Sequence, residues 1–286
     1  ANSSNKSDAF KVMFNGDTYV SSSLYLAGTA ITATAAEINL LDGLTTIGSG
    51  ILSSVTENGN TGVRLSSSSA SNHGDIGSNA VDLSYSNSSS STRGATGNIS
   101  IAMGDSSTAS GIGSTAMGNY TIASGIGSTA MGAVTIASGA NSTAIGYGTT
   151  ASETFTTAMG YDTTASGPYS TAMGGETTAS GNYSTAIGAY SAASGICSTA
   201  MGAVTIASGD ASTAIGSGTT ASDYASLVIG RFNSSGSSVT NSATSFNTAN
   251  TAFVIGNGTG PGPEASDALT VLFDGTTTIA GDLSIN

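Results

Sequence analysis

The chain has 286 residues, 40 of them glycine and none tryptophan, with 17 acidic residues against five basic ones and a net charge of −12. Leu, Ile and Phe are too sparse for a conventional large core, so stability has to come from regular stacking of small side chains. The shortage of cations argues against nucleic acid and against anionic membrane surfaces as partners, and no apolar run of about 18 residues is present to insert into a bilayer.

Residues 1–44 open with "SDAFKVMFNGDTYVSSSLYL" at 7–26, which predicts a β-hairpin: Asn15-Gly16 supplies the turn between alternating apolar residues. "TAAEINLLDGLTT" follows and predicts a short helix. Thr34 and Glu37 form a capping box, Ile38, Leu40, Leu41 and Leu44 an apolar face, and Gly43 a stop. A helix of this length is marginal alone, so its leucines need a partner. Residues 45–98 are Ser-rich and weakly patterned, and read as an irregular connector. Residues 99–230 hold the dominant repeat, and 231–286 read as a β-rich connector ending in a second hairpin.

That second hairpin, "SDALTVLFDGTTTIAGDLSI" at 266–285, repeats the first. Asp8, Val12, Phe14, Gly16, Thr18 and Leu24 fall on Asp267, Val271, Phe273, Gly275, Thr277 and Leu283. A module that begins and ends the same stretch predicts a segment of a longer modular chain, or a unit that repeats end to end.

Within 99–230, glycine returns every fourteen residues from Gly104 to Gly230, each time after Met or Ile, and Ala-Ser recurs halfway between. So much Gly, Ser and Thr excludes a helix. Five residues alternating in size, a Gly and two variable positions predict a short strand and a tight turn, with Gly supplying positive φ at the corner. Two such strands per period, each pairing with its equivalent one period on, make a parallel β-solenoid, all-β, of ten 14-residue rungs and roughly 45–50 Å in length. Glu153 and Asp223 replace the corner Gly in two rungs and leave those corners without an explanation. Thr115 and Met117 point away from Ser114 and Ala116, so either the Met/Ile column or the Ala column faces outside its own coil. An exposed Met/Ile ladder is a stripe that soluble monomers avoid, which predicts side-by-side association with copies of itself.

The chemical inventory argues against an enzyme and implies no cofactor. His73, with Asp75 nearby, reads as a surface-loop histidine rather than part of a triad. One His and one Cys, Cys197, do not make a zinc site. Asp162 and Glu176, one rung apart in the same slot, are the one candidate pair for calcium, against the simpler reading of two solvated carboxylates. The unbroken threonine column from Thr115 to Thr213 raises ice binding as an alternative. Tyr120, Tyr147, Tyr161, Tyr169, Tyr183, Tyr190 and Tyr224 fall in the variable slots, as candidate contacts for a cell-surface glycan or protein, against the reading that they pack on one another.

The repeat "STAMGNYTIASGIGSTAMG" resembles the head repeat of YadA-type trimeric adhesins over residues 99–230. The resemblance implies left-handed parallel β-rolls packed as a homotrimer, an extracellular location and adhesion. "TAAEINLLDGLTT" and residues 253–276 resemble segments of phage and viral tail fibres, which leaves a virion fibre and a bacterial adhesin head both open.

Overall fold

The computed structural model describes residues 51–281, together with four short strands in the first fifty residues. The chain divides into two units, 1–50 and 51–286. In the first, Phe10–Val12 pairs antiparallel with Thr18–Val20, and Tyr25–Leu26 with Thr29–Ala30. The first pairing is that of the predicted hairpin, centred on Asn15; the predicted helix lies outside the described residues.

The second unit is a parallel β-solenoid of about twelve turns. Each regular rung has one long strand of five residues, such as Thr115–Asn119, and one short strand of two, such as Ile122–Ala123. Long strands stack on long and short on short in strict register, Thr115 on Thr129, Met117 on Met131, Ala123 on Ala137. The two strands of a rung are therefore unequal, and the motif glycine is not at the corner. Gly118 is the fourth residue of its long strand, at φ +131, and the column keeps this conformation through Gly230. A Cβ on Gly118 would lie 1.9 Å from the Gly132 carbonyl oxygen, so glycine is required twice over, by backbone angle and by the rung below.

Alternation settles which face is inside. Ala116, Ala123 and their equivalents are fully buried, together with the Ser114 and Thr121 columns, so the interior of the regular rungs is lined by alanine and hydroxyl side chains. Some of those hydroxyls find acceptors of several kinds, while others, among them Ser114, Ser128, Thr135 and Thr149, have no hydrogen-bond partner among the described residues. Ser100 and Thr156 donate to the carbonyls of Gly97 and Glu153, Ser170 and Ser212 to those of Ala179 and Ala221, and Thr121 to Ser107 Oγ. A core this thin buries little apolar surface, and the backbone ladder, at about 1 kcal/mol net per bond, carries much of the stability.

The coil extends beyond the repeat at both ends. Val81–Tyr85 stacks on Ile101–Asp105, and Leu227–Arg231 on Thr251–Asn257, adding a rung before and after the ten of the repeat. The region read as an irregular connector thus contributes ordered strands from residue 51 onward. The 14-residue spacing does not show these rungs because loops interrupt it, residues 86–93 at one end and 232–250 at the other.

Each end is closed by an antiparallel hairpin. Leu52–Glu57 and Asn60–Leu65 lie beyond Val81–Tyr85, while Asp267–Leu272 and Thr277–Ile279 lie beyond Thr251–Asn257, completing a 16-stranded sheet. The predicted turn Asp274-Gly275 joins the last two strands, with Gly275 at φ +90. The pairs Leu269–Ile279, Thr270–Thr278 and Val271–Thr277 coincide one for one with Phe10–Val20, Lys11–Tyr19 and Val12–Thr18. The two related sequences pair in the same register.

At the N-terminal end the alanine column passes into Asp82 and then Arg64. Arg64 is buried with four of its five N–H donors engaged: Nη1 and Nη2 donate to Glu57 at 2.8 and 3.1 Å, Nε to Asp82 at 3.2 Å, and Nη2 to the Gly74 carbonyl. At the C-terminal end Val228 and Val254 replace alanine and fill the last rungs.

Candidate functional site

Two edges of the roll carry the variable slots, one following each long strand and one preceding it. In both, one residue per rung takes the left-handed conformation, and most of these are not glycine. Tyr120, Val134, Asp162, Glu176, Tyr190 and Val204 occupy the first edge at φ 48–56, and Asn141, Phe155, Tyr169, Tyr183, Cys197 and Ala211 the second at φ 55–61. Such angles cost about 1–2 kcal/mol per residue in a side chain with Cβ. The rung before supplies the restraint: the amide of Tyr120 donates to Asp105, Asp162 to Tyr147, Glu176 to Tyr161, and Tyr183 to Pro168, at 2.8–2.9 Å. The expectation that glycine makes the corners is corrected here, because the inter-rung ladder holds ordinary residues in them.

The seven tyrosines form separate groups rather than one ladder. Tyr147 and Tyr161 end their long strands and stack at 5.5 Å, 7° from parallel. On the other edge Tyr169 stacks on Tyr183 at 4.8 Å and on Phe155 at 5.3 Å. Tyr190 stands in the first edge, and Tyr120 has the Arg93 guanidinium 6.0 Å above its ring. Six of the seven are about half exposed, and Tyr224 is less so. Stacked rings cover one another's faces, so open faces remain only at the ends of each stack. Phe155 completes the longer stack; the fourteen-residue register places it in the slot of Tyr169 and Tyr183.

Asp162 and Glu176 occupy consecutive rungs of the same left-handed column. Each has a phenol beside it. The Asp162 charge, and then its hydrogen bond, raise the Tyr161 hydroxyl above its ordinary pKa; for Tyr190 the hydrogen bond to Glu176 comes first and its charge second. Among the described residues no group of three or more His, Cys, Asp or Glu side chains is placed to hold a metal ion.

His73 corrects another expectation: it is buried, with Nδ1 3.0 Å from the Ser69 carbonyl, to which it donates, while Asp75 is exposed. The two do not form the base and orienting acid of a triad. Asp223, one of the two residues that replace the corner glycine, is fully buried, and its carboxylate accepts the amides of Thr240 and Thr251 at 2.6 and 2.7 Å. It ties the 232–250 loop to the end of the roll. Glu153 instead turns its side chain to solvent, and its carbonyl takes the Thr156 hydroxyl.

Outside its own coil the long-strand face presents the Thr115 and Met117 columns side by side, half-buried for most of their length, with Met173, Met201 and Ile215 the most exposed of the Met/Ile column at 36–40%. A Met/Ile column next to a Thr column, on a rod with variable left-handed corners, defines a β-roll repeat protein with one apolar face. Copies of the YadA head domain repeat match residues 95–121, 123–149, 137–163, 151–177, 165–191, 193–219 and 207–232, so the stretch 95–232 is made of that repeat. The matched stretch lies inside the two end hairpins. No curated protein matches the chain.

Proposed function

We propose that the chain is a non-enzymatic, trimeric, extracellular fibre segment that acts as a spacer and an adhesion element. The observation that carries this reading is the Met/Ile column on the outer face of the coil. Ten such side chains in register are an apolar stripe whose burial is worth about 2 kcal/mol per side chain, and a symmetric association of three rolls removes it from water. YadA head repeats over 95–232 support the same assembly and a surface location. They favour a cell-surface adhesin head over a virion tail fibre. No helix among the described residues is long and apolar enough to cross a membrane. The ice-binding alternative has less support, because the threonines share their face with methionine instead of forming a hydroxyl-only surface.

Ligand contact falls to the corners and the strand ends beside them, with the open faces at the ends of the Phe155–Tyr169–Tyr183 and Tyr147–Tyr161 stacks offered to a glycan or protein. Light scattering tests the assembly: the parent should have three times the 27.5 kDa chain mass, and Met131→Glu with Met159→Glu should return it to one. A monomeric parent would sink the trimer. Replacing Tyr161, Tyr169 and Tyr183 with Ser should abolish attachment to cells while leaving the mass unchanged, and unchanged attachment would remove the corners from the binding role.

A further inference from the structure

The two related hairpins keep more in common than a hairpin needs. In the C-terminal copy, several of the shared residues act on the end of the roll. Asp267 accepts the Ser234 amide, the Ser234 hydroxyl and the Ser235 amide at 2.7–2.9 Å, all three in the loop that leaves the last regular rung. Ser266 donates through Oγ to Asn257 and through its amide to Phe232. The Phe273 amide donates to Asn250, and its ring meets that of Phe246 edge-on at 5.2 Å. Val271 pairs with Phe253 on the terminal strand. None of these contacts builds the hairpin itself; each fastens it to a roll.

The N-terminal copy has Ser7, Asp8, Val12 and Phe14 at the same four places, and its strands pair in the same register. It departs at Lys11, where Thr270 donates to Ser235. Among the described residues, Phe10–Val12 and Thr18–Val20 form a two-stranded sheet, so the edge that corresponds to the roll-facing edge of Asp267–Leu272 has no strand beside it. Residues suited to gripping a roll end are present where this chain's own roll end is already occupied by the other hairpin.

We propose that the hairpin Phe10–Val20 is a second roll-end cap, and that its partner is the uncapped end of another β-roll of this type. That partner offers a terminal strand of the form Ala-Phe-Val-Ile-Gly-Asn and an end loop with two free amides for Asp8 and an aromatic ring for Phe14. Strand addition supplies the affinity, and the loop contacts select a roll end over other sheet edges.

A graft within the full chain tests this: residues 266–279 are replaced by residues 7–20, with a Gly/Ser segment of equal length as control. The graft should melt within about 2 °C of the parent while the control falls by about 5 °C or more, and amide exchange in Thr251–Asn257 should stay slow in the graft alone. Adding Ser7→Ala, Asp8→Ala and Phe14→Ala to the graft should bring it down to the control. A graft that melts with the control overturns the proposal, and so does a triple variant that melts with the graft, since any hairpin would then serve.

Discussion

At the scale of single residues, the fourteen-residue glycine is the most constrained position in the molecule. Gly160→Ala would set a Cβ 1.9 Å from the Gly174 carbonyl oxygen in a backbone held at φ +129. We expect a loss of more than about 3 kcal/mol, read as a lowered denaturation midpoint at unchanged slope. Asp223→Ala removes the acceptor of the buried Thr251 amide and of the part-buried Thr240 amide and should cost about 2–4 kcal/mol, with faster exchange at Thr240 and Thr251 as the local sign. For the phenols, the folded pKa of Tyr161 and Tyr190 is raised, so the neutral form is favoured. Whatever they contribute is present below the ordinary tyrosine range and lost as pH rises through their own titration. Asp162→Asn should lower the Tyr161 titration in an ultraviolet pH series and leave Tyr190 where it was. Of these positions, the sequence spacing identifies the glycine column as essential but assigns it to the corner. The reason is that five-residue periodicity locates a strand without giving its end, and the left-handed residue follows two places later.

At the scale of elements, rungs and caps differ in how readable they are. A rung is written ten times, and its pairing follows from spacing alone. The end rungs keep the side-chain alternation of the others, as Val81-Asp82-Leu83-Ser84-Tyr85 does against Ile101-Ala102-Met103-Gly104-Asp105, but inserted loops shift them out of phase. Asp82 in an alanine column is the visible irregularity, and its meaning depends on Arg64 and Glu57, which lie in the end hairpin beyond it. Such long-range ionic pairing leaves no local pattern. Arg64→Met would leave Asp82 buried without its cation and should cost about 3–5 kcal/mol. Because each rung touches only its neighbours, the damage should begin at that end. Hydrogen exchange should quicken first in Val81–Tyr85 and the rungs that follow, while Thr199–Ser217 keeps its protection.

At the scale of the whole molecule, the tyrosines illustrate why a candidate site is harder to read than a fold. Their slots are plain from the repeat, but their grouping depends on which edge each slot occupies and on the ring stacked a rung away. Tyr147 ends a strand while Tyr169 sits in a corner, and the count of seven hides that difference. The rod itself permits a simple check. Deleting one full period, residues 132–145, should leave a folded roll shorter by about 4.8 Å, visible by small-angle scattering. Deleting seven residues would set a long strand over a short one and should abolish cooperative unfolding.

The identical stretches 128–139 and 198–209 lie five rungs apart in the same register. Such near-copies at the level of the gene are substrates for unequal recombination, and each crossover in phase adds or removes whole rungs without touching either cap. Reach therefore becomes a heritable quantity that changes in uniform steps, leaving the corners free to vary at their own pace.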